Sequence, residues 1–240
     1  MANNVLLNNV THKNLKIITS KSSKFGDNLG YTLLIPREFR EASFIYPIVF
    51  RKVATENKYE AVALLGFNEN ENVFLQQDEW MADYIPLSIE RRPFMIGYAY
   101  DQSTGEQHAM IHVDMDSPKV SFSEGVDVFL QHGGNSPYLE RINSMLVELL
   151  NGVNASKQFI DMLLAEELLE DFSLKISLDD NSTIAVNGFA TINEEKLRAL
   201  NGNQLARLHD KNFLELIYIA IASLANIKTM IKMKQKHSHV

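Results

Sequence analysis

The sequence predicts an α+β fold: a mainly antiparallel sheet from the N-terminal half plus a late hairpin, with a C-terminal helical part. Three observations carry this. Short apolar runs separated by turn-forming residues fill Leu15 to about Met115; after Ser136 apolar residues recur at three- and four-residue spacing; and two strand-like runs interrupt the helical part. In order, the expected strands are Leu15–Thr19, Tyr31–Ile35, Ile45–Val53, Glu60–Phe67, Leu87–Ile89, Phe94–Tyr100 and His108–Met115. The breaks at 27–30, 68–72 and 101–105 are rich in Asp, Asn and Gly, which tolerate positive φ or close Asx turns.

Ser136 is the expected N-cap of the first long helix, with Pro137 at its first position and Leu139, Ile142, Leu146, Leu149 and Leu150 on one face. Asn151-Gly152 reads as a break before a second helix, Ala155–Leu169. Phe172–Leu178 and Thr183–Phe189 flank the turn 179–182 as a hairpin. Short helices then open at Asn193 and near Asn203. In the closing helix Phe213, Ile217, Ala220, Leu224, Ile227 and Ile231 form one stripe, and the apolar run Phe213–Ile227 is read as a core helix too short to span a bilayer. The chain is expected to form one domain over 1–240, or two packed lobes. The lobes would be a β-rich one over about 1–132 and a mainly helical one over 133–240, hinged at Gly133-Gly134-Asn135.

Composition excludes several functions. With 240 residues and 45% hydrophobic content the chain can bury roughly 70% of its unfolded surface without staples. The absence of cysteine removes disulfides, thiolate metal sites and cysteine nucleophiles. The net charge of −7 is unevenly spread: four lysines precede Asp27 and four follow Glu215, leaving a central segment of fifteen basic and thirty acidic residues, net −15. Neither basic end carries Arg or interleaved aromatics, which argues against nucleic acid as a partner. No basic-then-apolar leader is visible at the N-terminus, so the expected location is cytoplasmic, with unconventional export as the route to any surface association.

Tyr46-Pro47-Ile48-Val49-Phe50, Arg91-Arg92-Pro93-Phe94, Asp114-Met115-Asp116-Ser117-Pro118, Asn187-Gly188-Phe189 with Glu194-Glu195-Lys196-Leu197, and Phe213–Tyr218 with Ser223-Leu224 follow one another along the chain. In that order they resemble the bacterial SapC family, named for a surface-layer-associated protein and distinct from the transporter permease of the same name. The resemblance runs from about Tyr31 to Ile231. It implies an accessory role in surface-layer or surface uptake and modification systems, without an agreed catalytic residue set. It also implies a histidine in the terminal helix where this chain has Ala220.

Several constellations are candidates for chemistry. Strand alternation places His108, Met110, His112, Asp114 and Asp116 on one face, and His112-x-Asp114 has the spacing of one arm of a facial-triad iron site, with His132 or His209 as third ligand. A solvent-facing polar side of a sheet explains the same pattern. Asp114, Asp116 and Ser117 could hold a hard cation or simply cap a turn, since the glycine and terminal glutamate of a calcium loop are missing. Arg91 and Arg92 form a compact cationic pair able to hold a carboxylate or phosphate, or to pair within the chain. Trp80–Tyr84 suits a contact patch or, more ordinarily, the core. No Gly-rich nucleotide loop or Gly-x-Ser-x-Gly elbow occurs, and the adjacent acid pairs at 166–167 and 179–180 diverge or face solvent.

Two readings follow. The first is a non-catalytic SapC-like accessory protein with a protein partner and no cofactor. The alternative is a small-molecule-binding protein or metal-dependent oxygenase-like enzyme that uses Fe(II) or another divalent metal at His112 and Asp114.

Overall fold

The structure is a computed structural model, described here for residues 3–53, 58–76, 78–100, 107–177 and 183–238. The first strands are β1 (Asn4–Leu6), β2 (Lys16–Ile17), β3 (Tyr31–Leu33), β4 (Ile48–Val53) and β5 (Lys58–Leu64), with helix α1 (Phe39–Ser43) before β4. There follow β6 (Leu75–Gln76), β7 (Glu79–Trp80), α2 (Leu87–Glu90), β8 (Phe94–Tyr100), β9 (Gln107–Asp114), β10 (Val120–Ser121) and β11 (Val126–Asp127). The remainder is α3 (Pro137–Ala165), β12 (Leu169–Ser177), β13 (Thr183–Ile192), α4 (Glu194–Ala199), α5 (Gly202–Asp210), α6 (Phe213–Ser223) and α7 (Ile227–Ser238). Mixed helices and antiparallel sheets with a helical C-terminal region make the fold α+β.

The chain divides into two compact units, each discontinuous in sequence. One comprises Met1–Asp27, Gln77–Glu79 and Leu87–Asn151; the other Asn28–Gln76, Trp80–Pro86 and Gly152–Val240. This differs from a division near residue 132. Gly133, at φ +86°, closes a tight turn inside the first unit, where its N–H donates to the Leu130 carbonyl at 2.8 Å and its own carbonyl accepts from Asn9 Nδ2 at 2.7 Å.

The first unit contains two small antiparallel sheets, ordered β1-β9-β8 and β10-β2-β11. Leu15, Ile17, Phe94, Val113, Val128, Leu139, Ile142 and Leu146 form its core. Ser136 caps α3 as expected, its Oγ accepting from Leu139 N at 3.2 Å.

The second unit is built on a five-stranded antiparallel sheet ordered β12-β13-β4-β5-β3. Phe159 gathers the aromatic core, with ring centroids 5.8 Å from Phe39, 6.2 Å from Phe50 and 5.2 Å from Phe213. Ser223 docks α6 on the sheet: its Oγ accepts from Ile48 N at 2.9 Å and donates to the Ala220 carbonyl at 2.6 Å.

Two local expectations are corrected. Residues Leu87–Glu90 form α2 rather than a strand. Gly152 does not break a helix; α3 runs through it without interruption. A Cβ at 152 would stand 2.6–2.7 Å from Ile35, so glycine serves close packing there. The closing helical run Phe213–Lys236 spans 24 residues and is long and apolar enough, by length and composition only, to cross a membrane. Phe213, Ile217, Ala220 and Met230 of this run are buried in the structure. The turns expected at 101–105 and 179–182 lie outside the described residues; the strands flanking each pair antiparallel as expected.

Candidate functional site

Two of the segments that carry the family resemblance meet. In the first unit Phe94 pairs with Val113, and Asp114 N donates to the Pro93 carbonyl at 3.2 Å, so Arg91–Phe94 and Asp114–Pro118 are adjacent. The Asp114 turn is capped from within. Asp114 Oδ1 accepts from Asp116 N at 3.2 Å, Ser117 N donates to the Asp114 carbonyl at 3.2 Å, and Ser117 Oγ accepts from Lys119 N at 3.3 Å. What this turn delivers is Lys119.

Lys119 is 1% exposed and Asp27 fully buried; Nζ donates to Asp27 Oδ2 at 2.9 Å and to the Ser20 carbonyl at 2.9 Å, and lies 5.2 Å from the centre of the Phe25 ring. Ser22 N also donates to Asp27 Oδ2, at 3.1 Å. Nearby, buried Lys21 pairs with Glu90 at 2.8 Å, with Arg141 3.7 Å from the other carboxylate oxygen. Arg92 donates to the Gly26 carbonyl at 3.0 Å, and Arg91 to the Phe94 carbonyl at 2.5 Å.

Burial lowers the Lys119 ammonium below its ordinary value; Asp27 opposes that shift, while Lys21 and Arg92 add to it. Burial likewise lowers both arginines: Arg92 adds to the effect on Arg91, whereas Asp27 opposes it on Arg92. Burial, more than like-charge repulsion, is the main cause of all three shifts.

His112 lies on the neighbouring strands' face. Its ring occupies the space over Gly97, where an added Cβ would come within 2.3 Å of Nδ1, and Nδ1 is 3.3 Å from the Met110 carbonyl. On the opposite face Val113 is buried and Ile111 and Met115 pack against the core, as alternation predicts. His132 sits exposed in the turn before Gly133, and His209 exposed on α5. Among the described residues no group of three or more His, Asp or Glu is arranged to hold a metal ion, so the residues present do not fit the facial-triad expectation.

In the second unit Trp80, Tyr46 and Tyr84 form a relay. Trp80 Nε1 donates to the Tyr46 hydroxyl at 2.9 Å, that hydroxyl donates to the Tyr84 carbonyl, and Tyr84 Oη donates to Glu38 Oε1 at 2.8 Å. Glu38 Oε2 accepts from Ile35 N at 3.1 Å. Burial pushes the Tyr46 phenol well above its ordinary value, against the opposing Trp80 hydrogen bond. Tyr46 belongs to the core, while Trp80 and Tyr84 are half-buried.

The same unit has an apolar groove of about 380 Å³ between β5, the segment around Leu33–Ile35 and α3. Leu33, Val153 and Leu164 line it while remaining 46%, 63% and 38% exposed. The buried Oγ of Ser156 lies in its wall with no hydrogen-bond partner among the described residues. Sequence reading missed this surface because Leu33 fits a regular strand pattern and Val153 falls between the two helices expected on either side of Asn151-Gly152. It also missed the Asp27–Lys119 pair, whose members lie 92 residues apart.

The architecture is thus an α+β protein with a buried ionic cluster in one unit and an apolar groove in the other. The SapC family profile matches residues 7–230, nearly the whole chain, and the chain belongs to the SapC family. No curated protein and no solved structure matches it significantly.

Proposed function

We propose that this SapC-family chain is an accessory protein that acts by contact with another protein in a bacterial surface-layer or surface uptake and modification system. The observation that supports the reading is the groove: three large aliphatic side chains stay exposed around one concavity instead of being dispersed. The occupant is an apolar segment of the partner. Lys58, Lys157, Glu60 and Asp161 line the same groove and would set its register by charge. Ser156 Oγ offers a hydrogen bond that such a segment can complete.

The test is affinity capture from the native host with the tagged chain and with Val153→Glu and Leu164→Glu. Both positions are exposed, so the variants keep the wild-type melting temperature. A partner recovered by the wild type and depleted at least tenfold by either variant supports the reading. Equal recovery by all three overturns the groove as the contact surface.

A further inference from the structure

We propose that the Ser22–Asp27 loop and the Arg91-Arg92 pair form a binding site for a phosphoryl group, a tetrahedral dianion, in the first unit. The first support is charge. Lys119 is within electrostatic range of Lys21 and Arg92, and Arg92 in turn of Arg91, so four cations are linked in one cluster with the two carboxylates Asp27 and Glu90. Among the described residues these six groups carry an excess of two positive charges in a partly buried setting, and Arg141 on the rim adds to the excess. Among the described residues Arg91 has no carboxylate partner; its guanidinium is tied only to the Phe94 carbonyl. Burying like charges without a counter-ion is costly, and a dianion is the ligand whose charge matches the deficit.

The second support is independent of charge. Ser22 is 1% exposed, and its Oγ has no hydrogen-bond partner among the described residues. It belongs to the loop that Arg92 grips through the Gly26 carbonyl and that Asp27 closes by accepting from Ser22 N. A buried hydroxyl left unsatisfied in the loop that Arg92 grips is a donor awaiting an acceptor. A phosphoryl oxygen satisfies it. The Arg91 and Arg92 side chains are only half-buried, which leaves the approach to the cluster from their side, and the forked guanidinium geometry suits two oxygens of one phosphate. Lys119, held by Asp27 and Ser20, supplies field rather than a direct contact.

The experiment is thermal unfolding of the full chain titrated with inorganic phosphate, glycerol 3-phosphate, sulfate and acetate at constant ionic strength. The melting temperature is expected to rise saturably with phosphate and sulfate and to stay unchanged with acetate. A larger rise with glycerol 3-phosphate than with phosphate assigns the site to a phosphoester; an equal or smaller one assigns it to the free anion. Arg91→Gln and Arg92→Gln each weaken the apparent affinity at least tenfold, and Ser22→Ala weakens it severalfold. The same titration followed by heteronuclear NMR of the wild type places the largest shifts at residues 22–27 and 91–92. A wild-type response to phosphate no greater than to acetate overturns the site, as does an Arg91→Gln response equal to wild type. If a variant fails to fold, the wild-type NMR map decides: shifts away from these two segments overturn the proposal.

Discussion

The two units bury polar groups by opposite means. In the first they are ions: Lys119 and Asp27 are paired at 2.9 Å out of solvent, with Lys21 and half-buried arginines around them. In the second they are mainly neutral, the Trp80, Tyr46 and Tyr84 groups chained by hydrogen bonds to a single carboxylate, Glu38. An ion pair removed from water recovers only part of its desolvation cost, whereas a satisfied chain of neutral groups asks little of the surrounding core. The difference teaches where each unit is fragile. The first depends on charge balance, the second on shape and on complete hydrogen bonding.

That contrast can be broken from the ionic side first. Asp27→Ala leaves Lys119 buried without its partner and is expected to cost about 3–5 kcal/mol in chemical denaturation. Combining Asp27→Leu with Lys119→Met removes both charges and recovers most of the loss; failure to recover would mean that packing, rather than charge, holds that centre. Tyr46→Phe is expected to cost about 1–3 kcal/mol, because the Tyr84 carbonyl and the Trp80 indole N–H each lose a partner. Gly152→Ala gains helix propensity but forces its methyl against Ile35, and a net loss of about 1–2 kcal/mol is expected. A stabilised Gly152→Ala would show that Ile35 yields easily.

The smallest effect is a pH dependence. Hydrogen bonds from Arg207 and Gln204 hold the Glu166 carboxyl below its ordinary value of 4.5, outweighing the opposing effect of burial. Its contribution is therefore present above that ordinary value and is lost as the pH falls through the lowered folded value. Glu166→Gln should flatten the acid limb of the melting temperature against pH. An unchanged limb would place acid sensitivity elsewhere.

Much of the architecture was legible because it is local. The Ser136 cap, the Asn193 cap accepting from Lys196 N at 2.8 Å and the alternation of β9 each depend on a few neighbouring residues. What was not legible depends on distant neighbours. Gly152 reads in sequence as a helix break and is a packing contact with Ile35; Gly97 makes room for His112, a neighbour on another strand. Arg91, Arg92, Asp114, Asp116 and Ser117 were visible as candidates. Their shared neighbourhood with Asp27 and Lys119 was not, since nothing at residue 27 announces residue 119.

The contact reading is tested most directly by a photo-crosslinking amino acid placed at Val153 in the groove of the second unit and, separately, at exposed Phe122 in the first. Proximity to the partner predicts one discrete adduct from position 153 in the native host, competed away by untagged wild-type chain, and none from position 122. Absence of an adduct at 153, or the same adduct at both positions, would contradict it.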